Sequence, residues 1–248
     1  MSRLESMMEE SMSKFVPYLL PGVRAVLFVA VGMIFVLVTK LSYEEASRWW
    51  SIICIFVNLL TIIILLIVCA REGVTYKSLL MSRNDKLWVK YTLLIILLMM
   101  IIGIGSMNGF GLLIYGYIPV VMIQPIPLVF AFINIILLPL TVVFAEFPLY
   151  FGYSLNRIDK MTNNKWLAIG YPMFFYGIQH SFIPLIFQWD HMLFRFLSFI
   201  PLLIVVGLLY YRNRRLIPLM IGHGFLDFAT AVQILIVSLF PTIFDLIN

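Results

Sequence analysis

Residues 128–153 read LVFAFINIILLPLTVVFAEFPLYFGY, and this stretch decides the fold class. Its 26 residues contain one acidic side chain, Glu146, and no basic one. About 20 consecutive apolar residues are enough for a helix to cross the hydrocarbon core of a bilayer. The stretch is therefore predicted to be a membrane-spanning helix that carries a carboxyl group inside the bilayer.

Six further apolar runs are also predicted as membrane spans: 20–38, 50–70, 91–122, 166–187, 193–211 and 216–240. The run 91–122 is longer than one crossing needs and is interrupted by glycines, so it is predicted to hold one span and a re-entrant or interfacial piece, with an eighth span as the alternative. The expected fold class is all-α: a polytopic transmembrane helical bundle of about seven, or eight, membrane helices.

The composition of the whole chain agrees with this class. Of 248 residues, 62% are hydrophobic and 12% are charged, and the mean hydropathy is +1.03. These values exclude a soluble domain, a disordered chain and a disulfide scaffold. Cys54 and Cys69 share one apolar run without metal or redox spacing, and are interpreted as packing residues. We expect a single integral membrane domain over residues 1–248.

The distribution of Lys and Arg predicts the orientation of the chain in the membrane. Basic clusters at 71–90, 156–165 and 212–215 alternate with loops around 124 and at 188–192 that have none. This alternation follows the positive-inside rule and predicts a cytoplasmic N-terminus. The expected localisation is that of a multi-pass protein of the plasma membrane. A complete extra crossing before residue 127 would break the alternation. The net charge of +5 is thus a topology signal, and no nucleic-acid partner is expected.

The N-terminal residues 1–18 have a different character from the spans. Three glutamates precede any apolar core, so we expect no cleavable signal peptide and a first span that is retained. Apolar residues recur at roughly helical spacing between these acids. This pattern is typical of a short helix on the membrane surface.

Four ionisable residues inside predicted spans are the candidate site: Glu146, His180, His223 and Asp227. Charged side chains are costly within a bilayer, so each is a functional candidate. Their distances from the basic loops place them in one slab near mid-membrane. His223 and Asp227 are four residues apart and share a helix face.

The residue types alone leave three chemistries open. A carboxylate beside an imidazole can activate water for attack on a carbonyl. The same set could bind Zn²⁺ or Fe²⁺, or relay protons in a transporter. Arg24 and Arg195, near the ends of their spans, are interpreted as boundary residues that reach the membrane surface.

Three short motifs make the local sequence more specific. The segment from Glu146 to Phe151, EFPLYF, resembles the Glu-Glu-x-x-x-Arg motif of the CAAX protease and bacteriocin-processing (CPBP) family of intramembrane proteases. The segment from Tyr176 to His180 is similar to the family's second motif, an aromatic residue four positions before a histidine. The segment from His223 to Asp227 is similar to the third, His-x-x-x-Asn/Asp. The resemblance covers residues 128–235, the expected catalytic core.

The resemblance implies a glutamate-dependent endopeptidase without an obligatory metal or cofactor. It implies that Glu146 is the general base, that His180 assists water activation, and that His223 and Asp227 take an oxyanion-side or positioning role. The implied substrate is a small peptide or a lipidated protein, reached along the membrane lipids and cleaved on the cytoplasmic side. Removal of a prenylated C-terminal tripeptide and bacteriocin processing or self-immunity are the family's known uses.

Two departures from the first motif leave an alternative open. Its second glutamate is Phe147 and its arginine is Phe151 in this sequence, and Pro148 is expected to kink the helix. An apolar pair can replace a buried ion pair without loss of the fold. The alternative is thus a catalytically inactive scaffold or immunity partner that binds another membrane protein through the same fold.

Overall fold

The structure is a computed structural model that describes residues 3–80, 88–120 and 122–247. Across these ranges the chain is helical and contains no strand, which confirms the all-α fold class. The helices are α1 Arg3–Thr39, α2 Tyr43–Ser47, α3 Trp50–Arg71, α4 Tyr76–Leu80, α5 Trp88–Tyr115, α6 Leu128–Phe147, a π-helical segment Pro148–Leu155, α7 Asn156–Thr162, α8 Lys165–His180, α9 Trp189–Asn213, α10 Leu216–Leu239 and α11 Pro241–Ile247.

Among the described residues, six helical stretches are long and apolar enough to cross a membrane: Lys14–Thr39, Trp50–Arg71, Val89–Tyr115, Leu128–Thr162, Trp189–Asn213 and Leu216–Leu239. The remaining predicted span, 166–187, is the 16-residue helix α8, which ends at His180. Pro184 explains this early end, because proline lacks an N–H and disfavours helical geometry in the preceding residue. The bundle is that of a polytopic membrane protein.

The run 91–122 forms one long helix followed by an irregular segment. Gly116, with φ +76, comes directly after α5, and a positive φ ends a helix. The described part of 116–127 is not helical, so no eighth span is present in it. Trp50 Nε1 donates to the Met122 carbonyl over 3.1 Å, and Ile126 N donates to Ser238 Oγ over 3.0 Å. The run therefore holds one long helix and an irregular piece that packs on α3 and α10, and the re-entrant or interfacial position of this piece stays a prediction.

The chain does not kink sharply at Pro148 but continues as the π-helical segment, whose eight residues are all buried. Proline cannot donate to the carbonyl of Phe144, one turn earlier. The hydroxyl of Tyr76 donates to that carbonyl instead, and burial raises the pKa of Tyr76. At Gly152 the carbonyl of Leu79 would lie 2.5 Å from any Cβ, so only glycine lets α4 pack this closely.

The prediction of a separate N-terminal surface helix was wrong. The stretch predicted as a separate surface helix is the beginning of α1, which runs without interruption into the first span. Residues 1 and 2 lie outside the described residues.

The two ends of the bundle differ in charge. We call the end formed by the described parts of 71–90, 156–165 and 212–215 the basic end; there Arg157 pairs with Glu72, and Arg214 pairs with Asp159. We call the end formed by the described parts of 40–49, 116–127 and 181–188 the basic-poor end. Lys40 and Arg48 are its only Lys or Arg residues.

Candidate active site

Side chains from three helices meet at one cavity of about 380 Å³. Glu146 comes from the last turn of α6, His180 from the end of α8, and His223 and Asp227 from one face of α10. The structure thus brings all four sequence-predicted residues together. Their catalytic roles stay a prediction.

The carboxylate of Glu146 is held by surrounding donors and is 2% exposed. Its Oε1 accepts from Arg24 Nη2 over 2.9 Å and from Gln179 Nε2 over 2.7 Å. Its Oε2 accepts from the hydroxyl of Tyr176. His223 Nε2 lies 3.4 Å from the same Oε2. Bonds of this kind hold a carboxylate in its ionised form and in one orientation.

Arg24 is not a boundary residue, and that interpretation was wrong. It is fully buried, ten residues after Lys14, where the first span begins, and is therefore too deep to reach the membrane surface. Its Nε donates to Gln179 Oε1 over 2.6 Å. Its remaining donors reach Thr61 Oγ1 at 3.1 Å, and Asn58 Oδ1 and Glu146 Oε1 at 2.9 Å.

A further layer of contacts fixes the orientation of Gln179. Its Oε1 accepts from the hydroxyl of Tyr150 over 2.9 Å as well as from Arg24, so its amide nitrogen is directed to Glu146. The Tyr150 ring stacks on Tyr176 at 4.3 Å between centroids. A buried network in which each member is satisfied is rigid. The site is therefore preorganised around Glu146.

The two phenylalanines of the first motif form an aromatic pair beside this network. Phe147 and Phe151 are buried and stacked, with ring centroids 5.2 Å apart, and Phe147 also contacts the ring of His223 at 5.2 Å. The cation beside Glu146 is supplied from α1 by Arg24 instead of from position 151. Sequence reasoning missed this exchange, although a charged residue within the apolar run 20–38 was a signal for it.

His180 has a different environment. Its ring stacks on Phe199 with centroids 3.5 Å apart, and the residue is 6% exposed. Neither ring nitrogen has a hydrogen-bond partner among the described residues, so His180 does not bond Glu146 directly, and its role in water activation stays a prediction. Buried polar groups almost always have partners. His180 thus lines the cavity with two ring nitrogens whose hydrogen-bonding capacity is unused in the described part of the chain.

His223 lies between two carboxylates. Its Nε2 is 3.4 Å from Glu146 Oε2 and 3.5 Å from Asp227 Oδ2. The separation of four residues predicted a shared helix face, and the contact with Asp227 follows from it. His223 therefore links the α10 motif to the glutamate of α6.

Arg195 is likewise not a boundary residue. It is 1% exposed, and its Nε donates to the carbonyl of Ile183 over 2.8 Å. It lines the same cavity as Glu146. The early end of α8 at His180 explains its burial, since the chain from Ile183 returns over the first turns of α9.

The cavity extends toward the basic-poor end. Its walls are formed by the second half of α5, residues 118–120 and 122–123, the first half of α9, and α10 from His223 onward. Among the described residues, none of those that line it comes from the basic clusters. The expectation of an opening on the same side as the basic loops is therefore not supported by the lining.

Metal binding was left open by the residue types. Within the described ranges, no group of three or more His, Cys, Asp or Glu is arranged to hold a metal ion. Glu146 is instead occupied by protein donors. Chemistry without a cofactor stays a prediction.

Comparison with known proteins places part of the chain in a family model. Residues 126–229 match the family model described as type II CAAX prenyl endopeptidase Rce1-like. No curated protein and no solved structure matches the chain. The matched range contains all four candidate residues and nearly coincides with the segment 128–235 indicated by the motifs. The match confirms the resemblance that the three motifs indicate, and over residues 126–229 the chain is similar to the Rce1-like CAAX prenyl endopeptidases.

Proposed function

We propose that the protein is an intramembrane endopeptidase of the CAAX-processing type, which hydrolyses a peptide bond with water activated by Glu146 and His180. The observation that carries this proposal is the convergence of Glu146, His180 and His223 on one buried cavity. Similarity to a peptidase family over residues 126–229 supports it.

The free acceptor capacity of Glu146 indicates where water would bind. An ionised carboxylate offers about four acceptor positions. Arg24, Gln179 and Tyr176 fill both positions of Oε1 and one of Oε2. The remaining position belongs to Oε2, the oxygen nearest His223. A water bonded there lies in the same cavity as the unbonded ring of His180.

The reaction then needs only groups of this chain. Glu146 takes a proton from water while the water oxygen attacks the carbonyl carbon of the peptide bond. Glu146 later gives this proton to the leaving amine. The carbonyl oxygen gains negative charge, which the Nε2–H of His223 stabilises. Asp227 Oδ2 lies 3.5 Å from that nitrogen without a hydrogen bond in the described part of the chain, so the carboxylate acts on the imidazole through its charge and the Nε2–H stays directed to the carbonyl oxygen.

Arg24 performs the electrostatic role that the family motif gives to an arginine at the position of Phe151. Its guanidinium neutralises Glu146, and the stacked Phe147 and Phe151 place no charge at the two motif positions. The lost motif residues are therefore compatible with activity.

The direction of the cavity bears on how substrate arrives. If the N-terminus and the basic clusters face the cytoplasm, the basic-poor end faces the outside of the cell. The substrate then enters the cavity from that end or laterally from the membrane. We expect Asn108→Cys, in the cavity wall, to react with a membrane-impermeant thiol reagent applied to the outside of intact cells. Lys160→Cys at the basic end is the control and should stay unlabelled. Both variants are made in a background that carries Cys54→Ala and Cys69→Ala. The reverse labelling pattern would overturn this orientation.

The proposed activity is tested by comparing peptides released from native-host membranes that contain wild type, Glu146→Gln or Glu44→Gln. Glu44 is exposed and outside the cavity, so it is the matched control. Products present with wild type and Glu44→Gln but absent with Glu146→Gln, at equal protein level, establish a Glu-dependent peptidase. Identical peptides in all three samples would reject it.

A non-catalytic partner-binding role is the second candidate. The observation that favours it is that Glu146 is already held by three donors and that Phe147 and Phe151 replace the motif's Glu and Arg. For this role, a crosslinked membrane partner would be recovered equally from wild type and Glu146→Gln cells.

A further inference from the structure

The cavity has a second polar corner, on α9, that the proposed reaction does not use. Arg195 and Ser198 are one turn apart, are 1% and 3% exposed, and both line the cavity. Arg195 Nη1 and Ser198 Oγ have no hydrogen-bond partner among the described residues.

The charge of Arg195 also lacks a counter-ion. Within the described residues, its Nε donates to the carbonyl of Ile183 over 2.8 Å, a neutral acceptor that supplies no negative charge. No carboxylate in the described part of the chain forms an ion pair with it. A buried cation is strongly unfavourable unless it is paired. This corner therefore has the electrostatic character of an anion site.

We propose that Arg195 and Ser198 form a subsite that binds a carboxylate of the molecule occupying the cavity. A guanidinium N–H and a hydroxyl supply two donors, which match the two oxygens of one carboxylate. Most of the surrounding wall is apolar, with Met107, Leu202 and Leu226 among its members. The ligand is thus an apolar peptide that carries one anionic group.

Ring contacts connect this subsite to the reacting centre. Arg195 Cζ lies 4.9 Å from the centre of the Phe199 ring, and that ring stacks on His180 with centroids 3.5 Å apart. An extended peptide covers about 3.3–3.6 Å per residue. Because the two distances together set an upper limit on the separation, a carboxylate on Arg195 is within about three residues of a group bonded to His180. The statement that the bound carboxylate belongs to a substrate rests on the proposed function. The carboxylate subsite itself does not.

The experiment measures binding and does not depend on cleavage. The purified full-length protein in nanodiscs is titrated with acetyl-Val-Ile-Leu as the free acid and as the C-terminal amide. A third peptide, acetyl-Val-Ile-Glu amide, carries its carboxylate on a side chain and so distinguishes the two sources of this group. We expect wild type to prefer the free acid by at least about tenfold, since charge-assisted bonds to a buried arginine are strong.

Two variants and one control locate the preference. Arg195→Gln should bind acid and amide equally, and Ser198→Ala should lower the preference severalfold. Arg48→Gln, an arginine at the basic-poor end that does not line the cavity, should retain it. If Arg195→Gln does not fold, Ser198→Ala carries the test.

Equal binding of acid and amide by wild type, or a preference that survives both substitutions, would overturn the subsite. The result is independent of the peptidase assay. A preserved acid preference in Glu146→Gln with no cleavage by wild type would reject the peptidase while leaving the carboxylate subsite in place.

Discussion

The two buried arginines of this protein have opposite environments. Arg24 donates from all three guanidinium nitrogens, to Gln179, Thr61, Asn58 and Glu146. Among the described residues, Arg195 donates from Nε to a carbonyl and has no partner at Nη1. Sequence analysis treated both as boundary residues, because each lies near the end of its apolar run. Their partners show that one cation builds the site and the other is available to a ligand.

The two arginines should also contribute differently to the free energy of unfolding. Removal of one member of a buried ion pair leaves an uncompensated charge, whereas removal of an unpaired buried charge also removes its desolvation cost. Arg24 and Glu146 are 0% and 2% exposed at the side chain, so their pair belongs to the first class. Arg195 belongs to the second. Substitutions at the two positions should therefore differ in their effect on stability.

Arg24→Met is expected to have the largest effect. It leaves the carboxylate of Glu146 buried without its cation, and we expect a loss of about 3–5 kcal/mol in the free energy of unfolding in mixed micelles. The control is Arg48→Met at the basic-poor end, which should stay within about 0.5 kcal/mol of wild type.

A double variant sharpens this prediction. Arg24→Met combined with Glu146→Gln should lose less stability than the sum of the two single changes, because the amide needs no counter-ion. Additive losses would show that Arg24 and Glu146 are not coupled and would contradict the ion pair as the centre of the site.

Tyr176→Phe should have an intermediate effect. It removes the hydroxyl that donates to Glu146 Oε2, and hydrogen bonds to charged groups contribute about 1.5–3 kcal/mol. We expect a destabilisation of this size and, if peptide cleavage is observed, a lower kcat with little change in KM, because the carboxylate loses its orientation. Tyr171→Phe, on the same helix but bonded to the Tyr18 carbonyl, is the matched control for kcat. A fall in kcat of equal size in both variants would contradict the specific role of Tyr176.

The same contrast explains what the sequence could predict. Glu146, His180, His223 and Asp227 stand out because they are ionisable within apolar runs, and helical rise from the basic loops gives their depth. The role of Arg24 depends on contact between α1, α3, α6 and α8, which no local pattern encodes. Gln179 was missed because a neutral amide next to a histidine carries no charge signal.

Some helix bounds could likewise be predicted from the local sequence, and others could not. The six long spans follow from apolar length, which is a local property. The end of α8 at His180 depends on Pro184, four residues further on, and the π-helical segment depends on Pro148. The local proline rules identify such positions but do not specify the geometry that the packed bundle imposes there.

Arg195→Gln is expected to have the smallest effect on stability. It removes the bond to Ile183 and also an unpaired buried charge, so the two contributions offset one another, and we expect unfolding free energy within about 1 kcal/mol of wild type. Measured under the same conditions as Arg24→Met, this near-neutral result would separate the ligand-facing arginine from the structural one. A loss as large as that of Arg24→Met would instead show that Arg195 is a structural residue and that its position at the cavity serves the fold.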